Sequence, residues 1–308
     1  MNEHSELDGR TAVVTGAGAG LGRAEALALA AGGADVVVND LGPGADDVAA
    51  EIRALGRDAV VVPGDVGEWS MGERLVEAAV DSFGSLDIVV NNAGITRDRM
   101  LFNLSEPDWD DVVRVHLKGH AALSRAAAAH WRSASKAAGG PVYGRLINTA
   151  SEAFLLGSAG QANYAAAKAG ITALTLSAAR GLARYGVCAN AICPRARTAM
   201  TADVFSDDGA EDGAGPDALA PERVGTFVHY LASPAAGAVN GQVFVVHGGM
   251  VALMAAPTVE RTFTAADGAF SFGELVEQLS GHFAGRDPHR MFAAFDVLEL
   301  ASAAPGVT

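Results

Sequence analysis

Short apolar runs rich in β-branched residues alternate along this chain with longer stretches whose apolar positions recur at helical spacing. The runs predict strands near 10–15, 35–39, 59–63, 86–91, 143–149, 187–193 and 242–246. Arg23–Ala31 reads as the first helix, and Val112–Arg132 and Ala162–Arg184 as long, Ala-rich ones. Such alternation predicts right-handed crossovers and a doubly wound parallel sheet of those seven strands with helices on both faces. Ligands of such sheets bind at the carboxyl ends of the strands, where Gly16, Asp40, Asn92 and Ser151 fall. Residues 1–250 are expected to form this domain. Residues 251–308 form a short C-terminal extension, helical over Phe272–Phe283 and His289–Leu300, that is apolar enough to pack on the core or a neighbouring subunit. Between them, Asp203–Ala220 is acidic and rich in Gly and Ala, either a mobile cover for a ligand or a solvated linker.

The first strand runs into Thr15-Gly16-Ala17-Gly18-Ala19-Gly20-Leu21-Gly22, and a helix follows at once. Glycines permit a tight turn and let backbone N–H groups approach a pyrophosphate, which the positive end of the helix also attracts. The spacing is G-x-x-x-G-x-G; alone it is a weak signal, and its place between a strand and a helix strengthens it. Gly16, Gly18, Gly20, Leu21 and Gly22 are therefore candidate dinucleotide contacts. The second strand ends at Asp40. A carboxylate there can accept hydrogen bonds from ribose hydroxyls and repels a 2′-phosphate, and no Lys or Arg lies between Gly16 and Gly22. NAD is expected in preference to NADP. The competing reading has Asp40 only opening the turn Gly42-Pro43-Gly44. Asp65 and Val66 follow the third strand and are placed to meet an adenine. Asn92-Ala93-Gly94 follows the fourth; its small residues leave room for a cofactor, and the Asn92 side chain can bridge strands.

The candidate chemistry lies at Thr149-Ala150-Ser151 and Tyr164-Ala165-Ala166-Ala167-Lys168. Tyr164 and Lys168, four residues apart, share one helix face. A free phenol has a pKa of about 10 and is a poor acid–base group at neutral pH. A neighbouring ammonium lowers it, and a drop of about three units represents ~4 kcal/mol. A serine hydroxyl opposite can hold an alcohol or carbonyl oxygen while the proton moves.

Taken together, these residues resemble the short-chain dehydrogenase/reductase family from about Leu7 to Met250, with the motifs in family order. The resemblance implies a Rossmann-type fold, Tyr164 as acid–base, Ser151 orienting the substrate oxygen, and Lys168 lowering the Tyr pKa and binding the nicotinamide ribose. A narrower likeness runs through Val38–Gly42, Asn91–Arg99, Trp109–Gly119 and Gly160–Tyr164. These segments look like the (3R)-hydroxyacyl-CoA dehydrogenase domains of peroxisomal multifunctional enzymes of type 2, whose bacterial relatives include 3-oxoacyl thioester reductases and hydroxysteroid dehydrogenases. His116 stands where most of the family carries Asn in a water-mediated proton relay, and is either a relay group or a structural one. Pro194-Arg195 replaces the usual Pro-Gly. Thr198 falls one place early, and His247 replaces an Asp before Gly248-Gly249. In the family, helices like the two long Ala-rich ones pair between subunits, which implies a homodimer or homotetramer.

A formal charge of −14 argues against nucleic acid or an anionic membrane as partner. A small-molecule alcohol or ketone is expected instead, as a thioester or a steroid-like ring system. A CoA thioester is itself anionic, and Arg97, Arg99, Arg195 and Arg197 are placed to meet it. Cys188 and Cys193, five apart on one strand, point to opposite faces; they suggest neither a disulfide nor zinc, and no other spacing suggests a metal. The polar N-terminus, the absence of a long apolar stretch and the final Gly-Val-Thr set the expectation of a cytoplasmic protein.

Overall fold

The structure is a computed structural model and describes residues 6–198, 217–287 and 290–301. The chain divides into two compact units, Met1–Met254 and Ala255–Thr308. The first is built on β1 (Thr11–Thr15), β2 (Asp35–Asn39), β3 (Ala59–Val61), β4 (Ile88–Asn91), β5 (Gly144–Thr149), β6 (Val187–Pro194), β7 (Val243–His247) and β8 (Met250–Leu253). The sheet order is β3-β2-β1-β4-β5-β6-β7-β8. The first seven strands pair in parallel as the sequence pattern predicts, and the order reverses between β1 and β4, so a crevice opens at their carboxyl ends.

The expected sheet lacked β8, which pairs antiparallel with β7 in the register His247↔Met250 to Phe244↔Leu253. The cause is Gly248-Gly249: a two-residue connection reverses the chain, and Gly248 takes φ 55°, a left-handed conformation that suits glycine. Both edge strands, β3 and β8, are only partly buried, whereas the central strands are buried throughout.

The two faces of the sheet carry separate apolar layers. Val14, Val38, Val90, Ile147 and Ile192 point to one side, against α1 (Gly20–Ala31), α2 (Gly44–Ala54) and, further along, α8 (Pro221–Ala232). Val13, Val37, Val89 and Leu146 point to the other, against α3 (Met71–Phe83), α5 (Gly119–Ala138) and α7 (Ala162–Leu182). The near-continuous apolar strands are what a sheet buried on both faces requires. The helix expected over Val112–Arg132 is longer and composite. α4 (Glu106–Val113) passes through a π-helical turn, Arg114–Lys118, into α5. π-turns concentrate at functional sites, and this one carries His116. Ser151 caps the short α6 (Glu152–Leu156).

In the second unit, α9 (Phe272–Leu275) and α10 (Gly281–Phe283) are joined by a π-turn, so Phe272–Phe283 is helical throughout, opened by a Ser271/Glu274 capping box. The helix expected over His289–Leu300 does not form among the described residues. Arg290 N–H donates to Asp287 O at 3.0 Å, and among the described residues after it only a 3₁₀ segment, Phe295–Ala301, follows.

Gly22 sets how closely α1 approaches the sheet. A Cβ built on it falls 2.2 Å from Gly16 O and 2.6 Å from Asn92 Nδ2. Gly22→Ala should therefore displace α1 and lower stability by about 1–3 kcal/mol. Urea unfolding checks this, and an unchanged midpoint would refute it.

Candidate active site

The strand ends and the helices packed against them enclose a cavity of about 550 Å³. Along one end run Gly16, Gly20, Leu21, Asp40, Asp65 and Val66. Asn92, Ala93 and Gly94 form the middle, and Ser151, Tyr164, Lys168, His116, Pro194 and Thr198 the other end. Gly18 and Gly22, also expected to meet the dinucleotide, are not among the lining residues.

The β1–α1 turn suits an anion. Gly16 has φ 63°, and a Cβ there would lie 2.8 Å from Ala93 Cα. Helix α1 starts at Gly20 with Ala19 as its cap; no side chain caps it and no acidic residue lies in its first turn. Its leading N–H groups therefore face the crevice with no side-chain acceptor, an arrangement that fits a pyrophosphate. Thr198 closes over this turn, 3.4 Å from where a Gly20 Cβ would stand.

Asp40 makes the turn contacts that its competing reading expected. Its Oδ2 accepts from Gly18 N at 2.8 Å and its Oδ1 from Gly42 N at 2.9 Å, so the carboxylate braces the glycine turn and opens the next one. Asp40 also lines the cavity, and a carboxylate has acceptor capacity beyond these two contacts. Asn92 bridges strands as expected: its Nδ2 donates to Thr15 O at 3.0 Å and to Gly16 O at 3.2 Å. Asp65 accepts from Gly67 N at 2.7 Å and from Arg114 Nη1 at 2.5 Å. Burial opposes its ionisation, but those donors hold its carboxyl below the ordinary range. Sequence reasoning missed Arg114, whose place in the wall depends on the π-turn.

At the other end, Ser151 Oγ accepts from Ala153 N at 3.2 Å, and the Ser151 hydroxyl favours the ionised form of Tyr164. Lys168 is buried, 2% exposed; its Nζ donates to Thr149 O at 2.6 Å and lies 5.4 Å from the Tyr164 ring centroid. Asn163, which sequence reasoning also left without a role, fixes the start of α7. Its Nδ2 donates to Arg97 O and Asp108 O, and its Oδ1 accepts from Tyr164 N.

The lowered phenol expected for Tyr164 is not what this geometry produces. Burial pushes Tyr164 up to about 12, with only the Ser151 hydrogen bond pulling it down. Burial also drives Lys168 down to about 7. The reason is that desolvation penalises both charged forms. His116 is driven to about 3, first by burial and then by Lys168. It is thus a neutral imidazole, edge-on to the Tyr164 ring at 5.1 Å between centroids, with Nε2 against the backbone of Ile95 and Nδ1 buried without a partner among the described residues.

Of the four arginines considered for an anionic substrate, three pair with carboxylates, Arg97 with Asp111 at 3.6 Å. Arg195 makes a paired contact with Glu152 at 2.6 and 2.7 Å, and Arg197 pairs with Asp217 at 3.1 Å. Arg97 lines the cavity. The expected cover over Asp203–Ala220 lies, up to residue 216, outside the described residues.

A family model described as "short chain dehydrogenase" matches residues 10–209. The chain belongs to the short-chain dehydrogenase/reductase family. The enzyme is 57% identical over 96% of its length to the hydroxyacyl-CoA dehydrogenase ChsB1 of Mycobacterium tuberculosis, covering 95% of that protein. It is 42% identical over 80% of its length to the mouse peroxisomal multifunctional enzyme type 2, of which the match spans 32%. Among solved structures, a short chain dehydrogenase from Mycobacterium avium superposes with a TM-score of 0.81 at 43% identity, covering 92% of this chain and 98% of that one. The family works with NAD(H) or NADP(H) on CH–OH groups, and the turn, Asp40 and the Ser151/Tyr164/Lys168 set fit such a dinucleotide.

Lys168 should leave a pH signature on stability. Folded, it holds its proton up to about pH 7; unfolded, up to the ordinary value of 10.5. Between these limits the unfolded chain binds more protons, so Lys168 makes stability rise with pH. Lys168→Met should raise Tm most below pH 7, with the gain shrinking toward pH 10. A pH-independent gain in thermal melts would contradict a desolvated ammonium.

Proposed function

We propose that the enzyme is an NAD-dependent dehydrogenase interconverting a secondary alcohol and a ketone, with a (3R)-3-hydroxyacyl-CoA-type thioester as substrate. The observation that carries this reading is one continuous cavity with Asp40 at one end and Ser151, Tyr164 and Lys168 at the other. A nicotinamide dinucleotide bound along it supplies the hydride acceptor. Ser151 and Tyr164 hold the substrate oxygen between their hydroxyls, and Tyr164 takes its proton in oxidation or returns it in reduction. Lys168, anchored on Thr149 O, directs its positive charge toward the phenolate as that charge develops. His116 fixes the Tyr164 ring from its edge. Asp40 selects NAD by receiving the ribose hydroxyls and repelling a 2′-phosphate.

The thioester is supported by the name of the mycobacterial relative and by Arg97 in the cavity wall, where it can meet an anionic carrier. A second reading, reduction of a 3-oxoacyl carrier-protein thioester, is favoured by a Synechocystis relative of that name, 40% identical over 80% of this chain. A hydroxysteroid is the third candidate. The subunits pair as a homodimer or homotetramer through the Ala-rich α5 and α7, a reading supported by the exposed Leu176 on α7. Two free thiols, Cys188 and Cys193, support a reducing, cytoplasmic setting.

NADH formation at 340 nm, with a panel of 3-hydroxyacyl-CoAs, hydroxysteroids and carrier-protein thioesters, tests the substrate. Turnover is expected with (3R)-3-hydroxyacyl-CoA and NAD. Tyr164→Phe should lower it by about 10³-fold or more while NAD still binds. Turnover confined to steroids or carrier-protein thioesters would overturn the assignment. Asp40→Ala should raise kcat/KM with NADP and lower it with NAD, narrowing the preference by about tenfold or more. An unchanged ratio removes Asp40 from cofactor selection.

A further inference from the structure

A second cavity, of about 390 Å³, lies where β5 and β6 begin, at the opposite ends of the strands from the catalytic side chains. Arg145, the second residue of β5, stands in its wall and is only 5% exposed. A guanidinium keeps its charge throughout the working pH range, so burying one calls for a counter-ion. Among the described residues no carboxylate is paired with it. Asp87, whose backbone carbonyl receives the Arg145 N–H, commits its carboxylate elsewhere. Its Oδ1 accepts from Arg10 Nη1 at 2.9 Å, and its Oδ2 from Thr11 N at 3.0 Å and Ser85 Oγ at 2.7 Å. Arg10 and Arg145 both lie over the Tyr143 ring, 3.9 and 4.0 Å from its centroid. Two cations thus share one carboxylate, and one positive charge is left unmatched.

The unmatched charge borders the cavity. Arg145 Nη1 donates to Gly144 O at 3.0 Å, and Nε is buried without a partner among the described residues. Nη2 lies 3.8 Å from where a Cβ on Gly237, another wall residue, would stand. Cys188 faces Arg145 across the β5–β6 register, with Sγ against Gly237 O at 3.4 Å. The other polar side chains of the wall are satisfied. The Tyr143 hydroxyl donates to Ala232 O, and Asn240 accepts from Ala189 N at 2.9 Å and donates to Ala179 O at 3.3 Å. Val142, Val187 and the exposed Ala183 add apolar surface.

We propose that this cavity is a binding site for a small monocarboxylate with a short apolar body, held by its carboxylate on Arg145. One unmatched cation calls for one negative charge. A planar carboxylate suits the edge of a guanidinium whose face is occupied by Tyr143, and the apolar wall takes the rest of the ligand. Arg145 and Ser151 are six residues apart along and beyond β5, about 20 Å by strand rise. The site is therefore separate from the catalytic cavity and does not depend on which alcohol is oxidised there.

The probe is hexanoate, titrated calorimetrically into the full-length enzyme, with hexanamide and inorganic phosphate as controls. Hexanoate should bind with one site per chain, and neither control should compete with it. Arg145→Met should weaken hexanoate by about tenfold or more, and should raise the Tm of the ligand-free protein, because an uncompensated buried charge is removed. Cys188 reports occupancy: at ten times the Kd, hexanoate should slow its alkylation by iodoacetamide about tenfold, read by intact mass. Ala183→Trp, at the exposed lip, should block binding without touching the buried arginine, which keeps the test open if Arg145→Met does not fold. Failure of hexanoate to bind, hexanamide or phosphate binding as tightly, or hexanoate affinity unchanged in both variants would each overturn the proposal.

Discussion

The buried contact between Lys168 Nζ and Thr149 O organises this enzyme. It ties α7, which carries Tyr164 one turn earlier, to the end of β5, two residues before Ser151. One 2.6 Å hydrogen bond to an ammonium thereby fixes three side chains from two elements relative to one another. The arrangement holds because both anchors are rigid: β5 is buried along its whole length between β4 and β6, and Asn163 pins the start of α7 to the segments before and within α4.

The same solution recurs at other strand ends, where the crevice would otherwise leave polar backbone exposed to apolar packing. Asn39 donates to Val62 O and Gly64 O, and Asn92 to Thr15 O and Gly16 O. Asn91 reaches Asn148 at 2.9 Å, and Asn148 donates in turn to Thr175 on α7. A short amide can satisfy a neighbouring backbone group without adding charge. The carboxyl end of the sheet is therefore held as a plate, and the site inherits its precision from that plate rather than from its loops.

Much of this was legible beforehand, for physical reasons. β-Branched runs between helical periods locate all seven parallel strands, because each must be apolar on both faces. The glycine turn, Asp40, Asn92 and the Tyr164/Lys168 spacing are local patterns, readable from neighbours in the chain. What escaped depends on distant partners. Strand β8 exists because β7 offers an edge to it. The π-turn at His116 has no local signature in Arg114-Val115-His116-Leu117-Lys118, yet it places His116 against Ile95 and Arg114 against Asp65. The raised Tyr164 is a burial effect, which four residues of spacing cannot reveal.

The departures from the usual family pattern become intelligible together. Where a Pro-Gly is expected, Arg195 stands nine-tenths buried and grips Glu152, the residue after Ser151. His247, in place of an acidic residue, has its pKa lowered first by burial, and it feels both members of that pair: Arg195 lowers it further and Glu152 raises it. A glycine would let the backbone alone shape this corner. Here a charge-assisted bridge links the loop after β6 to the first residue of α6, so the cap that holds Ser151 is tied to the strand end that forms the far wall of the cavity. A bridge this well shielded is specific in geometry rather than strong in net stability, since desolvation offsets much of its attraction. Its value lies in register: Arg195 and Glu152 meet in two parallel contacts only when the Ser151 corner and the Pro194 corner are both in place.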